Sequence, residues 1–238
     1  MTVTLLGVDC STEPRKTGLA LGELHGETVS ISRCSICSKE RPPAVLAREW
    51  LCESDSVLIA LDAPLGWPRA LGATLQGHMA GAALGKEPNQ LFRRATDDEI
   101  KRRLGKRPLD VGADRIARTA TAALRLLDCL RRGTGRPIPL AWTPDEDATW
   151  RVIEVYPAAT RIAHGAPDQG GSLAGLDDLL DCSAVEPSVL AREDAVDACV
   201  CVLAAADFLR GRAVSPPNLE TALLEGWIWA PGPLAQRR

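Results

Sequence analysis

The 238-residue chain has no excess of positive charge: 28 lysines and arginines stand against 31 aspartates and glutamates, for a formal net charge of −3. Without a global attraction to polyanions, any contact with nucleic acid or an acidic membrane has to come from a local patch. The sequence also has no run of about 18 apolar residues, so no membrane span is expected. Its first residues, MTVTLLGVDCSTEPRK, place no basic segment ahead of their short apolar stretch, which excludes the usual secretory pattern and leaves the cytoplasm as the expected location. Cysteine and histidine show no metal-binding pattern. Cys34 and Cys37 form one C-x-x-C, but no second pair and no paired histidines follow at finger spacing. The remaining cysteines are scattered, several within apolar runs, as reduced thiols packed like small hydrophobes would be. His25, His78 and His164 share no ligand spacing and receive no role.

What is present is an apolar content of 45%, ample for a sizeable core. Val3 to Asp9 reads as a first strand, and residues 17–24 and 27–33 as two more around the turn His25-Gly26, giving an antiparallel meander. Residues 42–54 carry proline at the start and apolar Val45, Leu46, Trp50 and Leu51 at helical spacing, so a helix should feed the strand 56–62. Residues 63–135 read as a mostly helical insertion, punctuated by Pro64, Pro68, Pro88 and Pro108 until a helix from about Asp114 to Arg132. A parallel strand is expected at 150–156, then short helices at AATRIAHG and LAGLDDLLDC, then a long helix at 188–211 that is apolar on nearly every face. One domain, 1–238, is expected.

Three apolar runs end on an acid: VTLLGVD on Asp9, SVLIALD on Asp62, and VIEVYP around Glu154. One acid at a strand end is commonly a cap or turn residue. Three of them suggest a shared site, because ligands of open α/β sheets bind beyond the strands' C-terminal ends. The late helix adds Asp194 and Asp197, three apart and so on one face. Asp197 lies among Ala195, Val196, Ala198, Cys199 and Val200, where a carboxylate needs a cation or hydrogen bonds. Gathered carboxylates resist joint ionisation unless neutralised, and hard oxygen ligands select Mg²⁺ or Mn²⁺. Two such ions activate water and stabilise a leaving oxygen in phosphodiester cleavage. Asp9, Asp62, Glu154, Asp194 and Asp197 are therefore the candidate catalytic residues. A two-carboxylate glycosidase would leave the others unexplained.

The densest basic run begins at Arg93 and Arg94 and continues through Lys101, Arg102, Arg103, Lys106 and Arg107, with Asp97, Asp98 and Glu99 among them. Such a run is either a salt-bridged solvated face or a phosphate-tracking surface. On the second reading Arg93, Arg94, Lys101, Arg102 and Arg103 would bind substrate. Phe92 is the one aromatic beside it, so base stacking is not expected.

The strand order, GVD, ALDAPLG, the IEVYP strand, FRRATD, REDAVDACVCVLAA and EGWIWAP together resemble the bacterial domain-of-unknown-function family 429, described as predicted ribonuclease H-like nucleases related to Holliday-junction resolvases. The resemblance implies a ribonuclease H-like α/β fold: a central mixed sheet with three antiparallel strands plus parallel strands, flanked by helices. It implies metal-binding roles for Asp9, Asp62, Asp194 and Asp197, with Mg²⁺ or Mn²⁺ as cofactor, and a place for Glu154 in the site. Nucleic acid, DNA or RNA and branched forms included, is the implied partner; a membrane is not, and a homodimer would suit a two-fold junction. The same fold also serves actin-like ATPases and sugar kinases. A nucleotide- or phosphate-handling protein is therefore an alternative, although DCSTEPRKTG offers Ser11, Thr12 and Thr17 without an early glycine. A non-catalytic nucleic-acid-binding protein is the other.

Overall fold

The computed structural model describes residues 3–112, 114–168 and 170–233. Strands β1 (Thr4–Asp9), β2 (Gly18–His25) and β3 (Thr28–Ile36) are followed by α1 (Pro43–Leu51) and β4 (Val57–Asp62). Four helices come next: α2 (Arg69–Leu75), α3 (Pro88–Phe92), α4 (Ala95–Leu104) and α5 (Asp114–Thr134). The chain returns to the sheet as β5 (Trp150–Glu154) and continues through α6 (Pro157–Ala163), β6 (Leu180–Asp181), α7 (Pro187–Leu190), α8 (Glu193–Leu209) and α9 (Leu219–Glu225).

The sheet order is β5-β4-β1-β2-β3-β6. β1, β2 and β3 are antiparallel neighbours, and β4 and β5 add in parallel beside β1. This is the mixed sheet that the resemblance implied. Two expectations change. Part of the LAGLDDLLDC segment, expected as a short helix, makes only turns and then β6, because the backbone of β3 offers it a ladder and Val29 donates its N–H to the Leu179 carbonyl at 2.9 Å. The long helix expected at 188–211 is divided by Arg192, whose extended backbone (φ −101°, ψ 126°) separates α7 from α8.

Alternation along the strands sorts the core into two layers. Leu5, Leu58, Ala60 and Ile153 face α8, while Leu6, Val8, Ile59, Leu61 and Val152 face α1 and α5. α8 is buried on nearly all sides, which its all-round apolar sequence requires. α5 presents Ala123, Leu126, Leu127 and Leu130 to the other face of the sheet. A smaller cluster of Ile100, Ala159, Ile228 and Ala230 joins α4 to α6 and the C-terminal segment.

Candidate active site

Asp9 and Asp62 are register partners at the ends of parallel strands β1 and β4. Partners in a parallel ladder project from the same face, and here it is the face under α8. α8 can lie close enough to matter because two strand positions are glycine. A Cβ on Gly7 would fall 2.1 Å from the Ala198 carbonyl oxygen, and one on Gly18 would fall 2.0 Å from that of Asp194. The first turns of α8 thereby come down over the strand ends, bringing Asp194 and Asp197 toward Asp9.

The electrostatics record that approach. The Asp9 carboxyl is pushed up to about 9 by burial, and further by Asp62, Asp197, Asp194 and Glu193. Asp62 lies well above the usual carboxylate range, through burial first and then through Asp197 and Glu154. Among the described residues, no hydrogen bond or ion pair engages either carboxylate. Asp197 is also raised by burial, but the cation it requires is present: Arg161 Nη2 on α6 donates to Asp197 Oδ1 at 2.6 Å. Arg161 is itself buried and also donates to the Ser172 carbonyl. Asp194 pairs with Arg192 at 3.0 Å. Nothing singled out Arg161 beforehand, although a lone arginine in the apolar stretch AATRIA was a signal that something buried had to receive it.

Glu154 is placed differently. It pairs in register with Leu61, one position before Asp62, so its side chain leaves the opposite face of the sheet. There Arg94 grips it with two parallel bonds, Nη2 to Oε1 at 2.7 Å and Nη1 to Oε2 at 2.9 Å. The Leu65 N–H donates to Oε2 at 2.9 Å, and Asp97 takes the other side of the Arg94 guanidinium at 2.9 Å. Burial raises the Glu154 carboxyl while Arg94 draws it back, and three donors converging on it are the surroundings of an ionised group. A buried Asp97–Arg94–Glu154 triad thus joins β5, the loop after β4 and α4. Gly226 lies against it, where a Cβ would fall 2.7 Å from Glu154 Oε2.

This triad corrects the reading of the basic run. Arg94 is only 1% exposed and its guanidinium is committed to two acids, so it has no free face to offer a phosphate chain. Its neighbours are occupied as well. Arg102 pairs with Glu99 at 2.6 Å, and Arg103 reaches Glu99 and the carbonyls of Ala230 and Pro231. Lys101 donates to the Gly105 carbonyl, Lys106 pairs with Asp168 and Arg107 with Asp98. Arg93 lies 3.7 Å from Asp110. Acids and bases three or four apart on α4 neutralise one another, which is the solvated-face alternative. The cations that do line the acidic cleft, a concavity of about 400 Å³, are Lys16 and Arg115 beside the enclosed Arg94. Arg115 is exposed and has no ion pair among the described residues.

As they stand, no three Asp, Glu, His or Cys side chains among the described residues are gathered tightly enough to hold a metal ion. The donor set nevertheless fits a hard divalent cation. Asp9 and Asp62 supply adjacent carboxylate oxygens without a counter-charge, and each raises the cost of ionising its neighbourhood.

A mixed sheet in the order β5-β4-β1-β2-β3-β6, with carboxylates ending β1 and β4 and a helix bearing two more across the same face, defines a mixed α/β protein with helices packed on both faces of its sheet. The chain belongs to the DUF429 family of proteins of unknown function, whose model matches residues 7–222. Among solved structures, T. thermophilus RuvC in complex with Holliday junction substrate is similar at 13% identity and a TM-score of 0.37, over 87% of this chain and 97% of that one. No curated protein matches the chain significantly.

Proposed function

We propose that the protein is a divalent-metal-dependent nuclease that hydrolyses phosphodiester bonds of nucleic acid at the Asp9/Asp62 cleft. The observation that carries this reading is the pair of adjacent, half-buried carboxylates without a cation or hydrogen-bond donor among the described residues, at the strand ends where an open α/β sheet binds its ligand. Asp9 and Asp62 would hold Mg²⁺ or Mn²⁺, with Asp194 and Asp197 completing a two-ion set. When bound, such ions supply a nucleophilic hydroxide at neutral pH and offset charge at the leaving oxygen. The chain's own groups do the rest. Arg161 and Arg192 hold the α8 carboxylates in place. Glu154 acts as a positioning residue, locking the loop after β4 and the start of α4 through Leu65 and Arg94. Lys16 and Arg115 meet the phosphate backbone that the aspartates alone would repel.

The test is cleavage of a panel of labelled single-stranded, duplex and branched DNA and RNA with Mg²⁺, Mn²⁺ or chelator, beside an ATP hydrolysis assay. Metal-dependent cleavage that Asp62→Asn abolishes supports the reading. ATP turnover without cleavage would replace it with nucleotide handling, and binding without either activity would replace it with a non-catalytic role.

A further inference from the structure

A second concavity, of about 760 Å³, lies between the β1–β2 link, the start of α1 and the outer face of α5. Its walls carry Ser11, Thr12 and Thr17 on one side and Arg118, Thr121 and Arg125 on the other. Ser11 lines both this groove and the acidic cleft, so the two adjoin there. Arg115, Arg118 and Arg125 fall within about 80° of one another around the helix axis, with Arg118 and Arg125 opposite the buried Ala123, Leu127 and Leu130 and Arg115 at the edge of that buried face. They form a stripe of about 15 Å, room for roughly four nucleotides at the ~3.4 Å stacked rise. Arg115 and Arg125 are exposed and have no ion pair among the described residues. Arg118 is paired with Asp114, itself a lining residue, at 2.6 Å, but both side chains are more than 70% exposed. An exposed pair of this kind is weak and exchanges readily for a phosphate.

We infer that this face of α5 is the track along which a nucleic-acid strand runs out of the acidic cleft. The inference rests on the proposed nuclease reading and adds where the substrate lies. In the alternative supply of cations, the 93–107 run, Arg94 is enclosed by two acids and Arg103 is held by Glu99 and two carbonyls, whereas on α5 Arg125 at the groove and Arg115 at the adjoining cleft have no ion pair among the described residues. No aromatic among the described residues lines the groove, so contact is with phosphate and sugar and is independent of base sequence.

The experiment compares three proteins on the same fluorescent single strands, in Ca²⁺ to suppress turnover, over a salt series: the parent, the Arg115→Ala/Arg125→Ala double variant, and Arg33→Ala. Arg33 is an exposed arginine on β3 that lines neither concavity, and so controls for simple loss of charge. The double variant should bind at least tenfold more weakly at low salt, with the slope of log K against log salt reduced by about 1.4. Its unfolding temperature should match the parent's, and Arg33→Ala should bind as the parent does. If the parent binds and cleaves while the double variant keeps the same affinity and slope, or loses no more than Arg33→Ala, the α5 track is wrong and the nuclease reading stands. If the parent binds no nucleic acid, both fall.

Discussion

Asp9 and Asp62 occupy one register position on neighbouring parallel strands, project from the same face of the sheet, and pair with no basic side chain among the described residues. Like charges held side by side under an apolar helix are a standing cost to the folded state, and that cost makes the site measurable without knowledge of the substrate.

The metal-free protein should become less stable as pH rises from about 4 toward about 9. Asp9 ionises near 4 in the unfolded chain and near 9 in the folded one, so the folded state holds the extra proton within that window. Stability from a raised carboxyl is present below the unfolded value and is lost as pH climbs through the folded one. Thermal unfolding across this range should show a smaller decline for Asp9→Asn than for the parent. Equal declines would show that Asp9 does not bear the charge.

Added Mg²⁺ or Mn²⁺ should raise the unfolding temperature more at pH 8 than at pH 5, because the ion competes with protons for the same oxygens. Asp9→Asn and Asp62→Asn should each shrink the gain. A gain that is unchanged in both variants would place cation binding elsewhere.

Glu154→Ala should destabilise the fold by ~3–5 kcal/mol, since it leaves the buried Arg94 with one acid and the Leu65 N–H with no acceptor. Asp9→Asn should leave the metal-free fold as stable as the parent or more so. Denaturant unfolding of the two variants side by side separates a structural carboxylate from one held for a ligand.

Gly18→Ala should cost about 1–3 kcal/mol, because its Cβ would fall on the Asp194 carbonyl and α8 would have to move. The variant should also lose part of the divalent-cation response measured above, since Asp194 and Asp197 retreat with the helix. A variant as stable and as responsive as the parent would mean that the close approach of α8 is not needed.

Arg161→Met keeps much of the side-chain volume and removes the counter-charge of Asp197. The metal-free protein should weaken, and its stabilisation by Mg²⁺ should exceed the parent's, because the ion then supplies the charge that Arg161 provided. Unfolding temperatures with and without the ion give both numbers.

The sheet, the carboxylates ending β1 and β4, and the buried nature of α8 were legible in the sequence because each depends on local pattern: an apolar run sized for a strand, an acid at its end, a helix without a polar face. The pairings on α4 were legible in kind, since acids and bases three or four apart meet on any helix. Three features depended on tertiary structure. Glu154 sits one register step from Asp62, and with a side-chain period of two that step sends it to the other face of the sheet. Its partner Arg94 is 60 residues away in sequence, and Arg161 is 36 residues from Asp197. Local propensity does not specify such partners, because a carboxylate on a strand end looks the same whether an arginine or a metal ion neutralises it. Desolvation imposes the need for a counter-charge, and only the packing of distant segments decides which group meets it.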